Sequence, residues 1–145
     1  MVSQALVEKP DVIVIKPIDQ AAIVPALETA NEAGVPIITL DTGVLEDADV
    51  DVLCAIQTDQ TSLGKTAAEY VEKVAEESGE TAKVITVLGD MSSNIAQLRQ
   101  SGFNDYAETT DKIEVLAEQE GKNWSPSVAY DAILSMASAN PDFNT

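Results

Sequence analysis

The chain has 145 residues, 45% apolar and 23% charged, with 25 acidic residues against 8 basic ones, no histidine and a formal net charge of −17. That length is about one domain's worth and supports a real core, while the negative charge excludes nucleic-acid phosphates and anionic leaflets as partners, because these need clustered Lys and Arg. Without histidine there is no Ser-His-Asp or Cys-His catalysis and no His-ligated zinc, and no apolar run reaches the ~18 to 20 residues of a membrane span or forms a signal-peptide core.

Along the chain, apolar runs of strand length alternate with segments of helical period. Val12-Ile13-Val14-Ile15 reads as a strand, followed by Pro17 and by Asp19 as N-cap of a helix through about Ala33. Ile23, Leu27 and Ala30 share one face of that helix, Gly34 supplies its C′ residue, and Pro36 prevents continuation. Pro25 removes a backbone donor in the early turns, so a tight or kinked start is expected. Val35 to Leu40 is the next strand, closing on the turn signal Asp41-Thr42-Gly43. The acidic loop Glu46, Asp47, Asp49 and Asp51 follows; it could hold Ca²⁺ by composition, but it lacks the glycine and terminal glutamate of a calcium-binding loop.

Val52 to Ile56 reads as a short strand containing Cys54, the single cysteine, expected as a small buried hydrophobe. Thr61 or Ser62 then opens a helix with Leu63, Ala67, Tyr70, Val71 and Val74 on its apolar side, a Glu69/Lys73 pair on the wet side, and Gly79 at its close. Val84 to Leu88 is a strand, residues 94–108 a helix, and Ile113 to Ala117 another strand. A last helix begins at Ser125 with Pro126 at N1 and runs to about Ala139. Strands apolar throughout, each followed by an amphipathic helix, give an α/β class with doubly wound parallel sheets and right-handed crossovers. Near Thr58-Asp59 a strand runs straight into a helix, which suggests a boundary with three strands before it and two after. Parallel sheets usually have more strands, so the sequence is expected to be a piece of something larger.

Two apparent motifs do not carry chemistry. Gly64-Lys65-Thr66 imitates the end of a phosphate-binding loop but has Asp59 where the first glycine belongs, and it lies inside a helix. Gly89-Asp90-Met91-Ser92-Ser93-Asn94 lacks the three-glycine dinucleotide fingerprint, and its aspartate would repel a pyrophosphate. No motif places an acid and base pair, a metal or a cofactor, and Asn123-Trp124-Ser125 is a glycosylation sequon too short to be informative.

Scarce residues stand in better places. Asp41 ends a strand, where α/β sheets collect ligands. Arg99, the only arginine, lies early in the helix after the strand ending at Leu88, and Trp124, the only tryptophan, precedes the last helix on the same strand-end side. Each has a structural alternative, as a turn cap, a surface cation and a helix staple respectively. Together, a carboxylate, a guanidinium and an indole suit a neutral polyhydroxylated ligand.

The phrases Lys9-Pro10-Asp11-Val12-Ile13-Val14-Ile15-Lys16-Pro17-Ile18-Asp19, Ala33-Gly34-Val35-Pro36-Ile37-Ile38-Thr39-Leu40-Asp41, Thr58-Asp59 to Gly64 and Arg99-Gln100-Ser101-Gly102-Phe103 resemble, in register, the type I periplasmic sugar-binding proteins, and look most like ribose-binding proteins of ABC importers. The resemblance implies the middle of a two-lobed, hinge-bending protein. Residues 1–58 would be part of lobe one, residues 59–145 part of lobe two, and Thr58-Asp59 a hinge crossing. It implies sugar contacts from Asp41 and Arg99, and aromatic stacking from Trp124. Thr42 departs from the arginine common in ribose binders, which favours another sugar or a related polyol. The implied protein is no enzyme and needs no cofactor. Its implied partners are the sugar, the importer's membrane subunits and a chemoreceptor, with no nucleic acid through this segment, and its implied location is periplasmic or extracellular and lipid-anchored. The alternative of the same architecture is the sugar-effector domain of a LacI-like transcription regulator.

Overall fold

A computed structural model describes residues 1–45 and 47–145. The chain divides into two compact units, Met1–Thr58 and Asp59–Thr145. Among the described residues no helix is long and apolar enough to cross a membrane. Glu46 of the acidic loop lies outside the described residues.

In the first unit, α1 (Val2–Val7) precedes β1 (Ile13–Ile15), α2 (Gln20–Glu32), β2 (Ile37–Asp41) and β3 (Cys54–Gln57). The strands form one parallel sheet in the order β1-β2-β3, with Ile13 opposite Ile37 and Ile38 opposite Cys54. Its core gathers Val2, Ile13, Leu27, Ala30 and Ile37. Asp19 caps α2 by accepting from the backbone N–H groups of Ala21 and Ala22 at 3.0 and 2.9 Å. Gly34 follows the helix with φ of 71°, the left-handed conformation that glycine adopts without a Cβ penalty. α2 continues through Pro25. The loop holding Asp51 is tied to α2 by a two-way contact: Asn31 Nδ2 donates to the Asp51 carbonyl at 2.9 Å, and the Asp51 N–H donates to Asn31 Oδ1 at 2.8 Å.

α1 was not legible as an element. Cys54 departs from its expected burial, because all four residues of β3 are exposed and the thiol is free and exposed. The apolar run implied a strand covered on both faces, whereas β3 lies at one edge of this sheet, paired with β2, and is exposed on both of its faces.

The second unit runs α3 (Gln60–Ser78), β4 (Ala82–Leu88), α4 (Asn94–Ala107), β5 (Ile113–Glu120), a 3₁₀ turn (Lys122–Trp124) and α5 (Pro126–Ala139). Asp59, two residues ahead of Thr61 and three ahead of Ser62, where the helix was expected to open, caps α3 by accepting from Ser62 N and Ser62 Oγ at 2.9 and 2.7 Å. Glu69 pairs back to Lys65, not forward to Lys73, whose ammonium reaches Glu77. β4 and β5 are parallel, with a bulge between Val84 and Ile85. Asn144 and Thr145 continue the sheet past α5: their N–H groups donate to the Lys83 carbonyl at 3.0 and 3.2 Å, and Ile85 N donates to the Thr145 carbonyl at 3.0 Å.

The core of this unit is Ala68, Ala75, Ala82, Val84, Ala107 and Ile113, with Val71, Phe103, Tyr106 and Val115 against it. Its small side chains reflect how closely α3 and α4 approach. A Cβ on Gly64 would fall 2.0 Å from the Arg99 carbonyl oxygen, and one on Gly102 would fall 2.0 Å from that of Thr61. Farther along, Tyr106 of α4 donates its hydroxyl to Glu72 of α3, which pushes the phenol up to about 12. Hydrogen bonds from Thr110 first, and then from Tyr106, hold the Glu72 carboxyl below the usual range.

Candidate functional site

Asp41 stands at the C-terminal end of a parallel strand of the first unit, while Arg99 of α4 and Trp124 of the 3₁₀ turn belong to the second. In the first unit, Asp41 is the last residue of β2 and has φ of 64°, a left-handed conformation uncommon outside glycine but tolerated by aspartate. Thr42 N donates back to the Leu40 carbonyl at 2.6 Å, closing a three-residue turn around Asp41. Lys16, directly after β1, reaches Asp41 Oδ2 at 2.5 Å. This lysine was quoted within a motif but not recognised as a neighbour of Asp41. The signal was available: Lys16 follows β1 and Asp41 ends β2, the adjacent parallel strand. Thr42 is buried, and its Oγ1 has no hydrogen-bond partner among the described residues. Gln20 Nε2 donates to the Gly43 carbonyl at 3.1 Å, joining the N-terminus of α2 to this turn.

In the second unit, Arg99 and Trp124 line one cavity of about 510 Å³, together with Gly64 and Leu63 of α3, Phe103 of α4 and Glu118 of β5. Arg99 is held from α3, because its Nε donates to Gln60 Oε1 at 2.8 Å and Gln60 is only 4% exposed. A buried amide at this place fixes the guanidinium's orientation. Gln60 was missed by sequence reasoning because it is a neutral residue in a helix's first turn, where only a cap was sought.

Trp124 ends the 3₁₀ turn, half exposed at 49%. Its ring lies on Gly89 at the end of β4, where a Cβ would come within 2.3 Å of it. That contact with Gly89 is the specific feature of the indole's position. Asn123 and Trp124 both have left-handed backbone, with φ of 55° and 53°. The loop is held by Asp90, whose Oδ2 accepts from Asn123 N at 2.7 Å while its Oδ1 accepts from Ser92 N at 3.0 Å and Ser92 Oγ at 2.6 Å. Thr58, the other residue of the expected crossing, is exposed and follows β3 immediately, so the strand passes into the cap of α3 with no intervening turn.

These hydrogen bonds shift acid groups in one direction. Ser92 Oγ first, and then the N–H groups of Asn123 and Ser92, hold Asp90 below the ordinary aspartate value. Ser62 does the same for Asp59, and Lys83 does so for Asp142. A carboxyl with a lowered folded value contributes stability above its unfolded pKa and loses it as pH falls through the folded one. Acting against this, 25 acidic residues repel one another at neutral pH, and partial protonation relieves that repulsion. We therefore expect the urea midpoint to hold or rise from about pH 7 to about pH 5 and to fall only below about pH 4. A midpoint already reduced at about pH 5 would contradict the assignment of these carboxylates.

Comparison with known proteins places this geometry in context. The family described as periplasmic binding protein domain matches residues 1–144. A ribose import binding protein of Salmonella typhimurium is 33% identical over 131 residues, covering 90% of this chain and 42% of that protein. A D-apiose import binding protein of Actinobacillus succinogenes is 26% identical over 142 residues, covering 98% of this chain and 44% of that protein. Among solved structures, a Mycobacterium smegmatis protein in complex with β-D-fucofuranose superposes with a TM-score of 0.86 at 20% identity, over 99% of this chain and 47% of that one. The chain thus spans less than half the length of the relatives it matches.

Proposed function

Because the chain belongs to the periplasmic binding protein domain family, we propose that it is the sugar-contacting segment of an import binding protein, with a sugar or related polyol held reversibly between two lobes and delivered to the membrane subunits of an ABC importer. In this reading residues 1–58 belong to one lobe and residues 59–145 to the other. Thr58 and Asp59 form a hinge crossing, and the protein works in the periplasm or outside the cell, where a chemoreceptor is a second partner for its closed form.

The observation that carries the reading is that the chain's only arginine and only tryptophan line the same cavity at the strand ends. A planar donor supplies charge-assisted hydrogen bonds to hydroxyls, and a half-exposed indole supplies an apolar face for the C–H surface of a sugar ring. Asp41 supplies the acceptor from the other unit, in a backbone conformation that its own short turn fixes. No redox or hydrolytic step is required, and the matched relatives are named as import binding proteins. Thr42, a buried hydroxyl beside Asp41, supports a sugar other than ribose, since it offers one neutral group where an arginine would offer a charged fork.

Calorimetric titration of the full-length protein with D-ribose, D-apiose and D-fucose tests the proposal. We expect saturable one-site binding of at least one of them, accompanied by a shift in Trp124 emission and a smaller radius of gyration, because a ligand contacting both lobes favours the closed form. Binding without compaction would remove the two-lobed clamp, and no binding of any of the three would remove the sugar reading.

A further inference from the structure

We propose that Asp90 is a positioning residue for Trp124, acting with Glu120 as a reciprocal pair of carboxylate straps between the loops that follow β4 and β5. This rests on the reading that Trp124 meets the ligand, and it adds the groups that set the angle and stiffness of that surface.

The two straps cross. Asp90, in the loop after β4, accepts from the backbone N–H of Asn123 in the loop after β5, at 2.7 Å. Glu120, the last residue of β5, accepts through Oε1 from the backbone N–H of Met91 in the loop after β4, at 2.9 Å. A backbone bond from Gly121 N to the Leu88 carbonyl, at 2.8 Å, closes the base of the pair. Between these fixed points the chain makes two consecutive left-handed residues, Asn123 and Trp124, a conformation that costs energy for residues other than glycine and persists only where surroundings impose it. The straps are those surroundings: the left-handed Asn123 is the residue whose N–H Asp90 takes. The result lays the indole on Gly89, the residue directly before Asp90, where any side chain would collide with the ring. Loop and platform are thus fastened at both ends of one dipeptide, Gly89-Asp90.

A side chain meant to stack on a ring must hold its plane before the ligand arrives, and that plane is set by the shell behind it. An aspartate at position 90 is poorly placed to bind an anionic ligand but well placed to accept N–H groups that the helical turns leave over. The same residue that rules out a dinucleotide loop therefore has a positive role.

The test uses the full-length protein with any tryptophan outside this segment replaced by phenylalanine, the acrylamide quenching of Trp124 without sugar, and calorimetric titration with D-ribose, D-apiose and D-fucose. Asp90→Ala is expected to raise the quenching constant about twofold and to weaken the tightest of the three sugars by about tenfold. Asp90→Asn, which keeps an acceptor oxygen, restores most of both. Ser92→Ala removes the hydroxyl that donates to Asp90 Oδ1, keeps the backbone N–H bond of that position and leaves the strap to Asn123, so both readouts stay at the wild-type level. Asp90→Ser, too short to span to Asn123, replaces the alanine variant if that one does not fold. Quenching and affinity both unchanged in Asp90→Ala, or equal losses in Asp90→Ala and Ser92→Ala, would overturn the proposal. Trp124→Ala separates it from the functional reading: undiminished sugar affinity there defeats the stacking role, while the sugar-free quenching still decides whether Asp90 holds the ring.

Discussion

Gly102→Ala is expected to destabilise the Asp59–Thr145 unit by about 3 kcal/mol or more, although the same change at an open helix position would gain about 1 kcal/mol of helix propensity. The sign is decided by what the new methyl group meets. At Gly102 it would lie 2.0 Å from the Thr61 carbonyl oxygen and 2.8 Å from its carbon, which are backbone atoms of α3 that cannot rotate away. Gly64→Ala meets the Arg99 carbonyl oxygen at 2.0 Å and should cost a similar amount. Both methyl groups act by prying α3 and α4 apart, so the double variant should cost clearly less than the sum. Urea unfolding of the three variants measures this, and a raised midpoint for either single variant would show that the helices do not cross so closely. Gly64→Ala pushes on the backbone of Arg99 itself, so this variant should also lose sugar affinity under conditions where it remains folded.

These glycines show why part of the site could be read from the sequence and part could not. Gly34 and Gly79 stand where helix periodicity stops, and both have the left-handed backbone that their place in the chain predicts. Gly64 and Gly102 lie inside helices, where local reasoning finds only a propensity penalty; their purpose depends on a neighbouring helix. They nevertheless fall within two of the four phrases on which the resemblance to sugar-binding proteins rests, so a pattern recognised as a signature turns out to include a packing requirement. The strands were legible because parallel strands covered by helices are apolar throughout, and the cap Asp19 because a carboxylate before an apolar-periodic run has one common use, whereas the cap of α3 is Asp59 and not the expected Thr61 or Ser62.

Other features depended on tertiary facts with no local signal. Cys54 sits in a run as apolar as β1 and β2, yet β3 is exposed along its whole length and leaves the thiol exposed. The turn signal Asp41-Thr42-Gly43 gave no indication of which residue takes the unusual backbone, and the left-handed residue is Asp41. That position bears on function, because it places the strain on the carboxylate's own backbone, where the ion pair to Lys16 and the turn bond to Leu40 hold it. Gln60 and Asp90 were invisible as site residues for a common reason: each acts on another side chain or loop, through a partner distant in sequence.

Arg99→Lys is expected to cost the full-length protein about 1.5 to 3 kcal/mol of sugar affinity, roughly a tenfold to hundredfold weakening, with little change in folding stability. The charge is retained, so a purely electrostatic role would survive the substitution. What is lost is the planar fork. Arg99 spends Nε on Gln60 at 2.8 Å, and that anchor leaves the two terminal nitrogens as a pair of coplanar donors whose direction is already fixed. An ammonium has three rotating donors and can either reach Gln60 or turn to the ligand, but it cannot hold one contact while presenting a fork with the rest. The same logic predicts that Gln60→Leu, which keeps the volume but removes the acceptor, loses a large part of the affinity even though Gln60 need not touch sugar, and that Gln60→Leu combined with Arg99→Lys is little worse than Arg99→Lys alone. Calorimetry on the four proteins closes the cycle. Affinity within twofold of wild type for Arg99→Lys would make Arg99 a surface cation, and full additivity of the two substitutions would mean that Gln60 does not act through the guanidinium.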